Sequence, residues 1–420
     1  MYWQLNGGHL ISKVIKSLFF LCLIQFSMIW IYPPRSFGVF SSIVQDRVGA
    51  GPFVYFVFIS ILVVSCFYFK NCGLSFLVQV LNPWVPLLVF SFASCVLSDY
   101  PVESMRQYLL FVLMLLSSVV IVSAETVSYL HKKIYYSLLF ILVGCCLYSI
   151  FLPSYGVQYY GSATVWRGFF AHKNGFGWFS AISFIVFLFL FDARRVGLSV
   201  ISIFLSAIGL LLSGSKTSLV AILFCCSMIY LLKYLRGRIS IGLAFLAFLF
   251  VSLLVMGFAF FEYQDALSLL GRDVTLTGRT VIWNLFFTSM KSTPFFGAGP
   301  GSYTGLSELT LPIAMRLYDY GYVANPHNII LAAFGDVGLL GLASFVFLLF
   351  YLSFVQFYKY RNIYSVTCTA LIVLFVVAGF TEAHEVISPG VAMFLVVIFR
   401  AMSIKYQADI VEVSAGNGKF

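Results

Sequence analysis

The chain has 420 residues, of which 61% are apolar and only 10% charged, with a formal net charge of +10 at pH 7. A soluble domain carries charge on about a quarter of its residues, so this composition excludes a water-soluble globular fold. The apolar residues fall in blocks of about 16 to 24, the length a helix needs to cross a hydrocarbon layer. The ten-residue alternation of an outer-membrane barrel is absent, so the reading is helices and not strands.

In chain order, the pattern predicts twelve transmembrane spans: 17–32, 51–69, 77–97, 106–123, 134–152, 174–191, 196–213, 216–232, 240–261, 328–357, 363–380 and 386–403. Asn82-Pro83 interrupts the third, which therefore reads as a shorter helix preceded by an interfacial piece. The first span follows Lys13 and Lys16 and leads into Tyr32-Pro33-Pro34-Arg35 without a small-residue cleavage site, so it is expected to be retained. An even number of spans places fifteen of the 25 basic residues on one side, among them Lys70, Lys132, Lys133, Arg194, Arg195, Lys233, Lys359, Arg361, Arg400 and Lys405. Basic residues near short loops are retained in the cytoplasm. The expected protein is thus a multi-pass inner-membrane protein with both termini cytoplasmic, and its positive charge is an orientation signal with no nucleic-acid partner implied. The nine cysteines lie in or beside apolar spans, and their pattern indicates neither disulfides nor a zinc site.

The expected organisation is a single all-α membrane domain over 1–420, with one long outward, periplasmic loop, 262–327, folded as a cap. A long ordered loop in a compact protein is usually functional. Within it, Thr277 reads as the cap of an interfacial helix whose first turn holds Arg279, and Gly297-Ala298-Gly299-Pro300-Gly301 reads as a tight turn. As a nucleotide loop that run is weak, because no strand precedes it and no Lys-Ser/Thr follows.

Three outward stretches carry candidate chemistry. Trp166-Arg167-Gly168-Phe169-Phe170-Ala171-His172-Lys173-Asn174-Gly175 leads into the sixth span, where Asn174 reads as a helix cap and the free amides with Arg167 and Lys173 form an anion site. The bland alternative makes Arg167 and Lys173 interfacial anchors beside aromatic residues. Ser213-Gly214-Ser215-Lys216-Thr217-Ser218 is a polar hairpin in which Lys216 is expected to face an internal polar cavity or an anion. In Asn325-Pro326-His327-Asn328, an asparagine cap and proline put His327 in the first turn of the tenth span, where the helix field keeps an imidazole neutral and able to accept a proton. A lone histidine is more often a structural hydrogen-bonding group, and the neighbouring arginines favour the catalytic reading.

Arg167, Lys173, Lys216, Arg272, Arg279, Lys291 and Arg316 are all donors suited to phosphate oxygens. No Asp-x-Asp pair occurs in the chain, so the usual carboxylate grip on a metal and a nucleotide-sugar diphosphate is missing. Trp166, Tyr303, Tyr318, Tyr320 and Tyr322 are candidates for stacking on sugars, or else interfacial belt residues.

These runs resemble the O-antigen ligase and Wzy-type polysaccharide polymerase superfamily, closest to exopolysaccharide or capsule polymerases. The marks are the run at 168–177, Ser-Gly-Ser-Lys-Thr-Ser at 213–218, Thr277-Gly278-Arg279-Thr280 through Trp283, and Pro326-His327-Asn328 followed by Gly335-Asp336-Val337-Gly338. The resemblance implies a GT-C-like fold and a metal-independent glycosyltransferase that needs no cofactor. Its partners would be an undecaprenyl-diphosphate-linked oligosaccharide, membrane lipids and other polysaccharide-assembly proteins. It implies Arg167, Arg279 and His327 as catalytic residues, the arginines on the diphosphate and the histidine activating the acceptor hydroxyl. Lys216, His172, Lys173, Asn174, Arg272 and Arg316 are the expected substrate-binding residues. Lys216 stands where many members have arginine, and Asp336 where glutamate is common. Polymerase is the preferred reading, O-antigen ligase the alternative and a lipid-linked glycan flippase the second. A flippase needs ionisable groups along a path through the bilayer, for which Asp336 alone is a poor basis.

Overall fold

The computed structural model describes residues 17, 19–27, 59–60, 62–63, 66, 72–160, 163–170, 172–235, 279–303, 326–380, 387 and 390–417. Among these, seven helices are long and apolar enough to cross a membrane: α1 (Leu74–Leu97), α2 (Pro101–Ala124), α3 (Val127–Phe151), α5 (Ala193–Ser213), α6 (Lys216–Tyr234), α8 (Ile329–Lys359) and α10 (Val391–Val411, continuing helical to Asn417). Two shorter apolar helices, α4 (Lys173–Phe189) and α9 (Ile363–Gly379), complete the apolar set, and α7 (Arg279–Met290) is a separate twelve-residue helix. Nine of the twelve expected spans therefore coincide with apolar helices. Of the first expected span, 17–32, residues 17 and 19–27 are described and 19–26 are helical; the span expected at 240–261 and most of those at 51–69 and 262–327 fall outside the described residues.

Local chemistry sets the ends of these helices. Thr126 Oγ1 accepts from the Tyr129 amide at the start of α3, and Asn362 Oδ1 accepts from Ser365 at the start of α9. One face of α5 buries Ser199, Ser202, Ser206, Gly209 and Ser213 at alternating spacings of three and four, which lets α4 approach closely. Ser202, Ser206 and Ser213 bond to carbonyls of their own helix, as Ser202 does to Leu198 at 2.8 Å, and Ser199 Oγ accepts from the Asp192 amide. The all-α expectation needs one amendment. Val157–Tyr160 (β1) and Ala163–Trp166 (β2) form a short antiparallel hairpin between α3 and α4, with Val157 paired to Trp166.

The contacts sort the helix ends into two groups. Arg195 reaches the Tyr136 hydroxyl, His131 stands 3.4 Å from Tyr364, Lys233 lies over the Phe189 ring, and Lys405 donates to the carbonyls of Val122, Ser123 and Glu125. This is the basic end of the bundle. The last of these contacts caps the C-terminus of α2 with a cation, where the helix presents its unpaired carbonyls. The glycine-rich and histidine motifs lie at the opposite end, as the alternation of charges requires.

Arg400, expected on the basic face, is instead 1% exposed inside the bundle. Its Nε donates to the Val80 carbonyl at 2.7 Å, one terminal nitrogen to Gln79 at 2.8 Å and the other to Gln356 Oε1 at 2.7 Å. The guanidinium also stacks near Trp84 and Tyr351. The reason lies in α1. Asn82–Trp84 is a 3₁₀ turn that breaks the helix where expected, and Pro83 has no N–H to give Gln79. Arg400 supplies the missing donor from a neighbouring helix. Arg400→Ala is expected to lower stability by roughly 3 kcal/mol or more, because three acceptors in a dry interior lose their partner. Thermal unfolding of the purified protein in detergent checks this.

Candidate functional site

At the motif end, the β-hairpin, the start of α4 and the α5–α6 turn pack together, and the start of α8 forms a second group with α7. Arg167 follows β2, and its amide donates to Gly156 at 2.8 Å while Nε donates to the Tyr155 carbonyl at 2.7 Å. The chain then turns through Gly168 at φ +58°, and a Cβ there would lie 2.7 Å from the Cys145 Cβ. Burial lowers the Arg167 pKa from its ordinary value, and the nearby Tyr148 opposes that shift. A guanidinium nevertheless stays charged.

His172, and not Asn174, is the N-cap of α4: its Nδ1 accepts from the Asn174 amide at 3.2 Å. The cap therefore falls two residues earlier than expected, because an extended backbone at His172 lets the imidazole nitrogen reach forward to the first turn. The Lys173 amide donates to Gln158 Oε1 of the hairpin at 3.3 Å. A Cβ on Gly177 would lie 2.5 Å from Ser215 Cβ, so the start of α4 presses against the α5–α6 turn. That turn closes on Gly214 at φ +60°, whose missing Cβ faces Val165 of β2 at 3.0 Å. Ser215 Oγ donates to Ser218 Oγ at 3.0 Å and holds the first turn of α6. Arg167, His172, Lys173, Asn174 and Lys216 thus share one region. Lys216 itself is exposed, contrary to the expectation of an enclosed polar cavity, because the buried side of the turn is filled by Ser213 and Ser215.

The second group centres on the start of α8. Asn328 Oδ1 accepts from Ile330 at 2.9 Å and Leu331 at 3.1 Å, so Asn328 is the cap and the helix begins at Ile329. His327 therefore precedes the helix and does not occupy its first turn. Its backbone lies at φ +47°, the one positive φ outside glycine among the described residues, and its Nδ1 is shielded from solvent. Such a conformation costs a β-carbon-bearing residue free energy and clusters at functional sites. Trp283 Nε1 donates to the Pro326 carbonyl at 2.8 Å and ties α7 to this turn. The backbone of Arg279 lies one helical turn ahead of Trp283; its side chain, with all of Arg272 and Arg316, lies outside the described residues.

Beneath this turn, α8 is interrupted at Gly338, with φ 67° and ψ −169°. An unbroken helix would bond Leu339 N–H to the Gly335 carbonyl and Leu340 N–H to that of Asp336. Here the Gly297 loop takes both places. Leu339 donates to Pro294 at 2.9 Å and Leu340 to Phe295 at 3.3 Å, while Gly335 accepts from Ala298 at 2.8 Å and Asp336 from Gly299 at 2.9 Å. All four groups of the broken helix are satisfied by an inserted segment. Ser94 and Ser98 fasten it to α1 through the Asp336 and Ala298 carbonyls. The Asp336 side chain, 1% exposed, accepts from the Tyr303 amide at 2.7 Å. Tyr303 is buried, with its hydroxyl donating to Ser289, so it is core and not a sugar-stacking surface. Burial raises the Tyr303 pKa, Ser289 opposes this, and the Asp336 charge adds to it. Tyr318, Tyr320 and Tyr322 lie outside the described residues.

Helix α9 packs on α4 and α6, and its Gly379 abuts Ile329 at the start of α8. Sequence reading missed the helix insertion and Arg400. The paired Gly297 and Gly338 were its visible signal. Among the described residues, no group of three His, Cys, Asp or Glu side chains stands close enough to hold a metal ion.

Residues 201–346 match the family model described as O-Antigen ligase. The chain is also 28% identical over 215 residues to the exopolysaccharide production protein ExoQ of Rhizobium meliloti (strain 1021), a match covering 47% of this chain and 48% of that protein. The matched part is thus about half the length of the curated relative. The family segment contains Lys216, Arg279 and His327, while Arg167 and Lys173 precede it and are joined to it through the Val165–Gly214 and Gly177–Ser215 contacts. By that segment, the chain is similar to the O-antigen ligase family, in keeping with the resemblance read from its motifs.

Proposed function

We propose that the protein is a polymerase that joins undecaprenyl-diphosphate-linked oligosaccharide repeats into a surface polysaccharide at the periplasmic face of the inner membrane. The observation that carries this is the convergence of the hairpin bearing Arg167, the start of α4 and the α5–α6 turn at the end of the bundle opposite the basic one. Positive charge gathered at one end of the bundle supports this reading, because a lipid diphosphate needs cationic partners. The likeness to an exopolysaccharide production protein supports polymerase over ligase.

In this reading, Arg167 and Arg279 hold the diphosphate, and Lys216, His172, Lys173 and Asn174, with Arg272 and Arg316 from the cap, hold the donor. The acceptor hydroxyl oxygen attacks the anomeric carbon. The bond from that carbon to the diphosphate oxygen breaks, its electron pair leaves with the phosphate, and His327 takes the hydroxyl proton. Negative charge grows on the leaving oxygen, where a preorganised cationic donor lowers the barrier by about 3 kcal/mol. No metal or cofactor is required by this scheme.

The description of the matching family favours a second reading, ligase, which uses the same donor and differs in acceptor. Purified protein incubated with lipid-linked repeats alone separates them. Elongation without a lipid A core acceptor is the expected result, and an absolute requirement for that core would assign the ligase. Arg279→Ala is expected to abolish elongation at unchanged protein level, read as chain length on a gel.

A further inference from the structure

The basic end of the bundle holds a cavity unrelated to the motif end, roughly 25–30 Å away along α3 at 1.5 Å per residue. Its volume is about 570 Å³, and its walls come from α3, the α4–α5 turn, α9 and α10. His131, Lys132, Asp192, Arg194, Tyr406 and Asp409 line it. A second recess of about 160 Å³ shares His131, Lys132, Asp192 and Arg194 and extends the space toward Arg195.

Lys132 and Arg194 face the same space as Asp192 and Asp409, with the Asp192 charge also acting on His131 and the Asp409 charge on Lys405. Asp192 is used locally: its Oδ1 accepts from the Arg194 amide at 2.9 Å, which holds the turn open. Arg195 is drawn aside to the Tyr136 hydroxyl. The aromatic wall is likewise fixed from behind. Tyr364 stands edge-on to His131 at 6.0 Å and to Tyr406 at 5.5 Å, so these rings brace one another rather than close the gap. Opposite charges lining one cavity suit a ligand carrying both signs, each of which finds a partner on the wall. An anion alone would meet the two carboxylates, and a cation alone would meet Lys132 and Arg194.

The cavity's level in the bundle selects among such ligands. It opens where α3, α9 and the α4–α5 turn leave the apolar zone, bounded by Val127, Phe191 and tyrosine rings. That is headgroup depth, where amphipathic rings and long basic side chains gather. We propose that this cavity binds the headgroup of a zwitterionic aminophospholipid, with Lys132 and Arg194 on the phosphate diester and Asp409 on the ammonium. The same phosphate-plus-amine chemistry exists in soluble phosphoethanolamine, and the test separates the two sources.

The full-length protein is reconstituted in nanodiscs with equal amounts of phosphatidylethanolamine and phosphatidylglycerol of matched chains, and retained lipid is counted by native mass spectrometry. Wild type is expected to retain phosphatidylethanolamine over phosphatidylglycerol by roughly fivefold, the size that one partly exposed charge contact supports. Asp409→Asn is expected to remove that preference while keeping a bound phospholipid, and Lys132→Ala with Arg194→Ala to lose both lipids. Equal retention of the two lipids by wild type, or unchanged retention in all variants, overturns the proposal. Complete displacement of the lipid by an equal concentration of soluble phosphoethanolamine would assign the cavity to a soluble ligand and overturn the lipid assignment. Thermal unfolding of each variant separates loss of lipid from loss of fold.

Discussion

Gly338→Ala is expected to reduce stability by on the order of 4 kcal/mol or more, among the larger effects a single residue produces. At φ 67° and ψ −169° this residue lies in a region open essentially to glycine alone. A Cβ there would sit 2.3 Å from the Phe295 carbonyl carbon and oxygen. On the facing strand of chain, a Cβ on Gly297 would lie 2.5 Å from the Gly338 nitrogen. The two backbones touch because the loop supplies the hydrogen bonds that the broken helix lacks. Pushing them apart exposes four buried backbone groups in addition to the steric strain. Gly197→Ala is the control: it lies within helix α5, its Cβ would meet nothing within 4 Å, and alanine favours a helix. Melting curves of both variants in detergent decide the matter. A Gly338→Ala protein as stable as Gly197→Ala would refute the insertion as a stabilising element.

His327→Asn is expected to cut glycan elongation by about 10²–10⁴-fold, the contribution of a positioned general base. Asparagine is chosen because the backbone at φ +47° must be preserved, and asparagine tolerates that conformation better than alanine. The variant keeps the turn between Trp283 and Asn328 while removing a group able to accept the hydroxyl proton. Fold and catalysis are thereby separated. The readout is the rate of chain growth by purified enzyme on lipid-linked repeats, beside a melting curve matching wild type. Elongation at the normal rate would remove His327 from the proposed mechanism, and a large fall in melting temperature would make its role structural. Arg167 supplies a second test of the same scheme, since it belongs to the other group of site residues.

Most of the helical framework was legible along the chain. Nine apolar runs became nine apolar helices because a lipid-facing segment must close its own hydrogen bonds, and length with composition suffices to specify that. The break at Asn82-Pro83 and the turn at Gly297–Gly301 were equally visible, since proline and glycine act on their own backbone. Ends that depend on a side chain reaching for an amide were harder. Asn174 gave way to His172, and the α8 cap fell on Asn328, because several neighbouring residues offer competing acceptors and only the path of the chain chooses between them.

Charge placement divided in the same way. The sequence alone determined a membrane bundle with a basic end and a motif end, because hydropathy and the sign of loop charges act residue by residue. Tertiary structure decided what each exceptional residue does. Arg400 reads as one more basic-face residue until α1 arrives with carbonyls that its own proline cannot satisfy. Asp336 reads as a lone charge until the Gly297 loop enters α8 around it. The hairpin that carries Arg167 meets the α5–α6 turn at Val165 because Gly214 has no Cβ, and α4 presses on Ser215 because Gly177 has none. Such outcomes depend on which unsatisfied donors and acceptors meet across the fold, and that information belongs to pairs of segments and to no single one.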